Sequence, residues 1–268
     1  SDRIKGHAGD GNVDFNRNSS SMNVAVVGGA GYVGLVTALG LAHMGHNVIA
    51  ADKDVDRVKK LSRGHSPIQE RGLQELLGTN LIAERITFTT DVAAAVAEGE
   101  VVFITVDTPV GKSGRPELSR VLSVSEEIGN AISTYTTVVV KSTVPTGAVD
   151  KINGVLSRTL KKGRDYDLVM NPEFLREGDA VWDFFHPARI IIGTESDLGA
   201  GVLERLYAPF QEEHPPLPVS CPENHTPIPV QRTDIRSAQI IKYAANALLA
   251  LRVSFINAVA GICEVVDA

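Results

Sequence analysis

A doubly wound α/β fold on a mostly parallel sheet, followed by one long helix, is what three features of this chain predict. Short apolar, β-branched runs alternate with helix-compatible stretches between residues 22 and 210. A glycine cluster stands between the first apolar run and the first helical stretch. From Ile235 to the last residue a helical pattern continues with one glycine and no proline.

Each element has its own warrant. Residues 1–21 are polar, rich in Gly, Asn, Asp and Ser, and aperiodic, and are expected to be a disordered leader. MNVAVVG is a valine-rich strand, LVTALGLAHM a helix, and HNVIAAD a second strand ending at Asp52. Further strands are expected at RITFTT around Phe88, EVVFITV ending at Val106, TTVVVKS ending near Ser142, YDLVM ending at Met170 and RIIIG ending at Gly193. Most are continuous apolar runs, as strands covered on both faces require. Helices are expected at roughly 117–133, 147–160 and 197–207. HPPLPVSCPENHTPIPV is proline-rich and reads as an extended edge or connector. Thr233 or Asp234 can then cap the long helix.

Composition excludes several function classes. A formal net charge of −6 gives no reason to expect a nucleic-acid partner. The two cysteines, Cys221 and Cys263, lack the spacing of a disulfide scaffold or a zinc site, so no metal is expected. Cys263 reads as a buried helix residue rather than a nucleophile, because reactive thiols need an electropositive setting. No uninterrupted apolar stretch is long enough to cross a bilayer and no signal peptide opens the chain. A cytoplasmic protein without a membrane partner is therefore expected.

The glycine cluster is Gly28-Gly29-Ala30-Gly31-Tyr32-Val33-Gly34. Gly29, Gly31 and Gly34 satisfy G-x-G-x-x-G, which permits a tight turn, close approach of a pyrophosphate to backbone N–H groups, and close helix–strand packing. Asp52 follows Gly31 by 21 residues, at the end of the second strand. A carboxylate there can accept from adenosine ribose hydroxyls and repel a 2′-phosphate, which favours NAD over NADP. This makes the fold Rossmann-type. Gly28, Gly31 and Gly34 also match the G-x-x-G-x-x-G of short-chain reductases. Those need a tyrosine with a lysine four residues on, and none of the five tyrosines has one.

Three polar segments follow strands, where open parallel sheets collect their chemistry. They are Asp107-Thr108-Pro109, Lys141 to Gly147, and Asn171 to Gly178. Thr108 and Thr143 offer hydroxyls to a cofactor or a water; equally, they can cap helices. Glu173 and Glu177 would share a face if their loop is helical, suited to deprotonating water, or else form surface ion pairs. Lys242 and Asn246 are one turn apart on the long helix. They could stabilise negative charge on a substrate oxygen, or belong to a solvated stripe with Arg236 and Asn257.

Taken together, MNVAVVGGAGYVGL, VDTPVGKSGRPELS, VVVKSTVPTGAV, MNPEFLREGDAVWDFFHPARIIIG and IIKYAANALLALRVSFINAVAGICE resemble the UDP-glucose/GDP-mannose dehydrogenase family. That resemblance implies oxidation of a nucleotide-sugar C6 alcohol to a carboxylate with two NAD⁺, UDP-glucose being the implied substrate. It also implies an NAD-binding domain over 22–212, a proline-rich connector over 213–232, a central dimer helix beginning at 233–268, and a C-terminal nucleotide-sugar domain not contained in this chain. Gly29, Gly31, Tyr32, Val33, Gly34, Asp52, Thr108, Pro109 and Thr143 would bind NAD. Lys242 and Asn246 would steady oxyanionic intermediates, with Glu173 beside them. Thr143 would hold the catalytic water, and Glu177 would act as base or its support. Phe174, Leu175 and Arg176 would meet substrate. The family's nucleophilic cysteine lies in a G-F-G-G-S-C-F motif, which this chain lacks.

The chain departs from the family pattern by an extra residue in the glycine turn, by Asp107, by Gln239 in place of Glu and by Ala258 in place of Glu. Asp107 is the departure expected to matter most, since its loop would lie near NAD. Two other readings stay open on the residues alone: a two-domain hydroxy-acid dehydrogenase, which would lack the NPEFLREG loop, and a nucleotide-binding regulatory or assembly domain without chemistry.

Overall fold

The computed structural model describes residues 21–112, 114–212, 215–218 and 226–268. Its strands are β1 (Asn23–Val27), β2 (Asn47–Ala51), β3 (Ile86–Thr89), β4 (Val101–Ile104), β5 (Thr136–Val140), β6 (Tyr166–Met170), β7 (Ile190–Gly193) and β8 (Val230–Thr233). They form one sheet in the order β3-β2-β1-β4-β5-β6-β7-β8. Every neighbouring pair is parallel except β6 and β7, which meet antiparallel at Met170 and Gly193. The order reverses between β1 and β4, which opens a crevice beyond their carboxyl ends.

Nine α-helices occur among the described residues: α1 (Tyr32–His43), α2 (Val55–Ser62), α3 (Leu73–Ile82), α4 (Val92–Glu98), α5 (Ser119–Ala131), α6 (Ala148–Leu156), α7 (Ala180–Phe185), α8 (Asp197–Leu206) and α9 (Ile235–Val266). The sheet divides the core because side chains alternate along each strand. Val24, Val26, Val139 and Val169 enter one core, with α1, α3, α7 and α8. Ala25, Val27, Val138 and Leu168 enter the other, with α4, α5, α6 and the start of α9. This two-sided burial is why the strands read as unbroken apolar runs.

Several helices begin where a short polar side chain takes an otherwise orphaned N–H. Asp54 caps α2 at Arg57, Asp91 caps α4 at Ala94, Ser196 caps α8 at Gly199 and Asp234 caps α9 at Ser237. Of the two caps the sequence offered for α9, Asp234 is used. Helix α6 starts at Ala148 behind Gly147, whose φ of +84° is left-handed, so Thr143 caps nothing. The helix stops at Leu156 rather than 160. The proline-rich segment ends in β8, which joins the sheet edge beside β7.

Helix α9 divides in two. Its first turns bury Ile235, Ala238, Gln239 and Lys242 against the sheet, whereas Leu248, Leu251, Phe255 and Ile262 are exposed. By length and composition α9 qualifies as a membrane-crossing helix. Its apolar run is nevertheless interrupted, by Lys242, Asn246, Arg252 and Asn257. Cys263 is half-buried in this outer part rather than fully buried, because the outer turns stand clear of the sheet. Cys221 lies outside the described residues.

Candidate functional site

The glycine turn joins β1 to α1 at the switch point. Gly28 has φ +88°, and a Cβ there would stand 3.0 Å from the Thr105 carbonyl carbon and from Val106. A Cβ on Gly34 would lie 2.1 Å from the Gly28 carbonyl oxygen, so α1 starts against the strand. Gly28 is thus a left-handed residue packed against the segment that follows β4. Gly31 precedes α1 and supplies no side-chain cap, and no acidic residue occupies the first helical turn. Free N–H groups at the positive end of a twelve-residue helix suit a pyrophosphate. Asp52 holds the turn from the far side: its Oδ2 accepts from the Ala30 N–H at 3.0 Å and its Oδ1 from Asp54 at 3.0 Å. Each oxygen keeps a lone pair for a ribose hydroxyl. The residues present therefore fit a dinucleotide.

The loops after β4 and β5 lie together. The Thr108 hydroxyl donates to the Thr143 carbonyl at 2.7 Å, and the Ser142 hydroxyl to the Val106 carbonyl at 2.6 Å. Pro109 is exposed and its carbonyl accepts from Glu117 at 2.8 Å. Asp107 is 82% exposed and faces Arg120 across 4.0 Å, a surface ion pair that contributes little to stability. Gln239 is buried and donates its amide to the Pro145 carbonyl at 2.7 Å. An ionised glutamate cannot make that donation, so the amide ties α9 to the turn after β5.

Opposite the glycine turn, charge is gathered below the surface. Lys242 on α9 donates to Glu173 at 2.7 Å, and the two side chains are only 5% and 11% exposed. The buried pair takes Lys242 out of the solvated-stripe reading, whose other members Arg236, Asn246 and Asn257 are exposed, Arg236 pairing with Asp150 at 3.3 Å. Lys141, at the end of β5, is buried and donates to the Asn171 side-chain oxygen at 3.1 Å. Burial pushes its pKa down to about 8; the Glu173 carboxylate opposes that shift and Lys242 adds to it. The Tyr207 hydroxyl also donates to Asn171, at 2.7 Å, and the Asn171 amide donates to the Ile191 carbonyl at 2.8 Å. Asn171 is therefore locked where the loop leaves β6.

Residues 171–178 are not helical, so Glu173 and Glu177 do not share a face. Glu173 instead accepts the Leu175 N–H at 2.6 Å, a local bond that competes with helix formation. Glu177 is exposed, as is Asn246 one turn beyond Lys242. Phe174 lies between two cations, with the Arg189 guanidinium 5.2 Å and the Lys242 ammonium 5.5 Å from its ring centre. Arg176 is exposed and bound to Asp183 at 2.7 Å, which staples the loop to α7. A cavity of about 370 Å³ is lined by Lys141, Asn171, Glu173, Phe174, Arg189 and Ala245, among others.

Sequence reasoning placed Lys141 and Asn171 at the heads of two polar strand-end segments without a role, and passed over Glu70 and Arg189. A lysine closing the all-apolar strand TTVVV was a usable signal for Lys141. Glu70 had none: it lies in the segment between α2 and α3, and only the fold brings it to Tyr32, whose hydroxyl donates to it.

Residues 22–211 match the NAD binding domain of the UDP-glucose/GDP-mannose dehydrogenase family, and residues 236–268 its central domain. The UDP-glucose 6-dehydrogenase YwqF of Bacillus subtilis is 41% identical over 247 residues, covering 92% of this chain and 52% of that protein. A UDP-glucose dehydrogenase structure from Pyrobaculum islandicum superimposes with TM-score 0.80 at 35% identity, over 91% of this chain and 53% of that one. The GDP-mannose dehydrogenase of Pseudomonas aeruginosa gives 0.79 at 35%, over 88% and 52%. The chain spans about half the length of the curated relatives it matches. With the family's NAD binding domain lying over the glycine turn and both loops of the buried-charge corner, this chain belongs to the UDP-glucose/GDP-mannose dehydrogenase family and has NAD as its cofactor.

Proposed function

We propose that the complete protein oxidises the C6 alcohol of a nucleotide sugar, UDP-glucose, to the uronic acid, with two NAD⁺ consumed per sugar. The buried Lys242–Glu173 pair at the mouth of the strands carries this reading. NAD supplies the hydride acceptor. Lys242 gives one of its three N–H donors to Glu173 and keeps two for the oxygen on C6, where negative charge develops as its proton leaves. Glu173 holds the ammonium in place. Asn246 adds an amide donor on the same side of α9, Thr143 steadies a water, and Glu177 assists as a base from the loop edge. The backbone of Phe174, Leu175 and Arg176 meets the substrate, and the 370 Å³ cavity behind them leaves room for the loop to settle. A cysteine outside these residues serves as the nucleophile for the aldehyde stage. The NPEFLREG loop sets this reading above a hydroxy-acid dehydrogenase, and a nucleophilic cysteine in the complete protein would set it above a non-catalytic domain.

We also propose a cytoplasmic homodimer in which the apolar face of α9, with Leu248, Leu251 and Phe255, packs on a second copy, without a membrane or nucleic-acid partner. The chain described here should bind NAD⁺ yet yield no NADH with UDP-glucose, while the complete protein yields two per sugar. Sustained NADH formation by the chain alone would refute that division, and a monomer in sedimentation at micromolar concentration would refute the dimer.

A further inference from the structure

The Glu70 carboxylate accepts three donors from two segments remote from its own. The Tyr32 hydroxyl donates to Oε2, the Gly178 N–H to Oε2 at 3.0 Å and the Ala180 N–H to Oε1 at 3.1 Å. Tyr32 is the first residue of α1 and belongs to the glycine turn; its oxygen also stands 3.1 Å from the Arg176 carbonyl. Gly178 and Ala180 close the loop that carries Glu173, and Gly178 reaches Glu70 in a left-handed conformation, φ +94°. Burial, then Glu70 itself, raises the Tyr32 pKa above its ordinary value, so the phenol remains a donor. Glu70 in turn stands on an anchored segment. Ser66 bonds the Ile68 carbonyl at 2.8 Å, Gln74 bonds the Gly64 carbonyl at 2.8 Å, and Ile68 packs on the first core.

We propose that Glu70 is a positioning residue that fastens the 173–180 loop to the dinucleotide turn, so that NAD⁺ on the turn tightens the loop holding Glu173. This rests on the NAD site assigned above but not on the sugar substrate. A pyrophosphate on the first turn of α1 restrains the Tyr32 backbone, and the Tyr32 hydroxyl passes that restraint to Glu70. Glu70 passes it to the two loop amides. Coupling of this kind is reciprocal: the factor by which NAD⁺ steadies the loop is the factor by which a loosened loop weakens NAD⁺ binding.

Hydrogen exchange of peptides covering 174–181, with and without saturating NAD⁺, tests this on the chain as it stands. In the unaltered chain NAD⁺ should slow exchange there by about tenfold. Glu70→Ala should speed exchange without NAD⁺ and abolish the NAD⁺-dependent slowing. Tyr32→Phe leaves Glu70 holding both loop amides, so exchange without NAD⁺ should stay near that of the unaltered chain while the NAD⁺ effect disappears. In both variants calorimetry should show the NAD⁺ dissociation constant rising by the lost factor, and Glu70→Gln, which keeps one acceptor oxygen, should fall between. Circular dichroism confirms that each variant is folded. Unchanged loop exchange in Glu70→Ala, or NAD⁺ slowing that persists in Tyr32→Phe, overturns the proposal. Absence of NAD⁺ binding overturns the cofactor assignment and the coupling with it, whereas binding that leaves the loop unaffected overturns the coupling alone.

Discussion

The glycine turn after β1 uses seven consecutive residues and offers backbone N–H groups, while the corner after β5 and β6 draws Lys141, Asn171, Glu173 and Lys242 from three segments and offers charged side chains. The turn tolerates no added atom at Gly34, where a Cβ would meet the Gly28 carbonyl at 2.1 Å, but it buries no charge. The corner has room, with its cavity of about 370 Å³, yet it depends on keeping opposite charges together. The turn should therefore fail sterically and the corner electrostatically.

The largest effect is expected at the corner. Lys242→Ala strands a buried carboxylate on Glu173 and should destabilise the chain by about 3–5 kcal/mol, read from urea denaturation. With Lys242 only 5% exposed, a large rather than a mild effect is expected. Removing both partners, as Lys242→Met with Glu173→Gln, should recover much of the loss. In the complete enzyme Lys242→Ala should lower single-turnover NADH formation by about 10²-fold, with UDP-glucose binding changed far less. An unaltered urea midpoint for Lys242→Ala would break the comparison at its electrostatic end.

Gly34→Ala tests the steric end. The clash with backbone should cost about 1–3 kcal/mol and remove measurable NAD⁺ binding, while the Lys242–Glu173 pair stays intact. Normal calorimetric affinity in this variant would show that the turn can yield.

A smaller effect is expected at Asp52. Asp52→Ser shortens the ribose acceptor and loosens its bond to Ala30. NAD⁺ should bind about tenfold more weakly, or about 1.4 kcal/mol, and its lead over NADP⁺ should narrow. Equal affinities for the two cofactors before any substitution would contradict the role given to Asp52.

The smallest effect separates both regions from the rest of the fold. His46 accepts from Met22 at its Nδ1 and bonds the Leu206 carbonyl through Nε2 at 2.8 Å, so it is held neutral. Burial lowers the pKa of His46 and of His43. The unfolded chain then takes up protons first as pH falls. Stability from these groups is complete above about pH 6.5 and declines below it, by about 1.4 kcal/mol per unit of depression until the folded-state pKa is reached. His46→Gln should flatten the decline in thermal melts between pH 7.5 and 5.5. An undiminished decline would place the acid sensitivity elsewhere.

Much was legible before folding because the information was local. The glycine spacing, the apolar strands, Asp52 and the long helix each follow from side-chain period or turn chemistry within one segment. Helices α2, α3, α4 and α7 were not foreseen. Helix α7 has six residues and exists because Phe184 and Phe185 bury against α1, with Phe184 filling the space a side chain on Gly40 would need. Period alone cannot announce so short an element. By itself the sequence determined the sheet, its glycine turn and the residue types near strand ends. Tertiary structure decided which of those residues meet: Lys242 with Glu173 across 69 positions, Lys141 with Asn171 across 30, and Glu70 with Gly178 across 108. The physical reason is that a buried charge or carboxylate needs a partner in space, and the partner's address along the chain is set only when strands and helices pack.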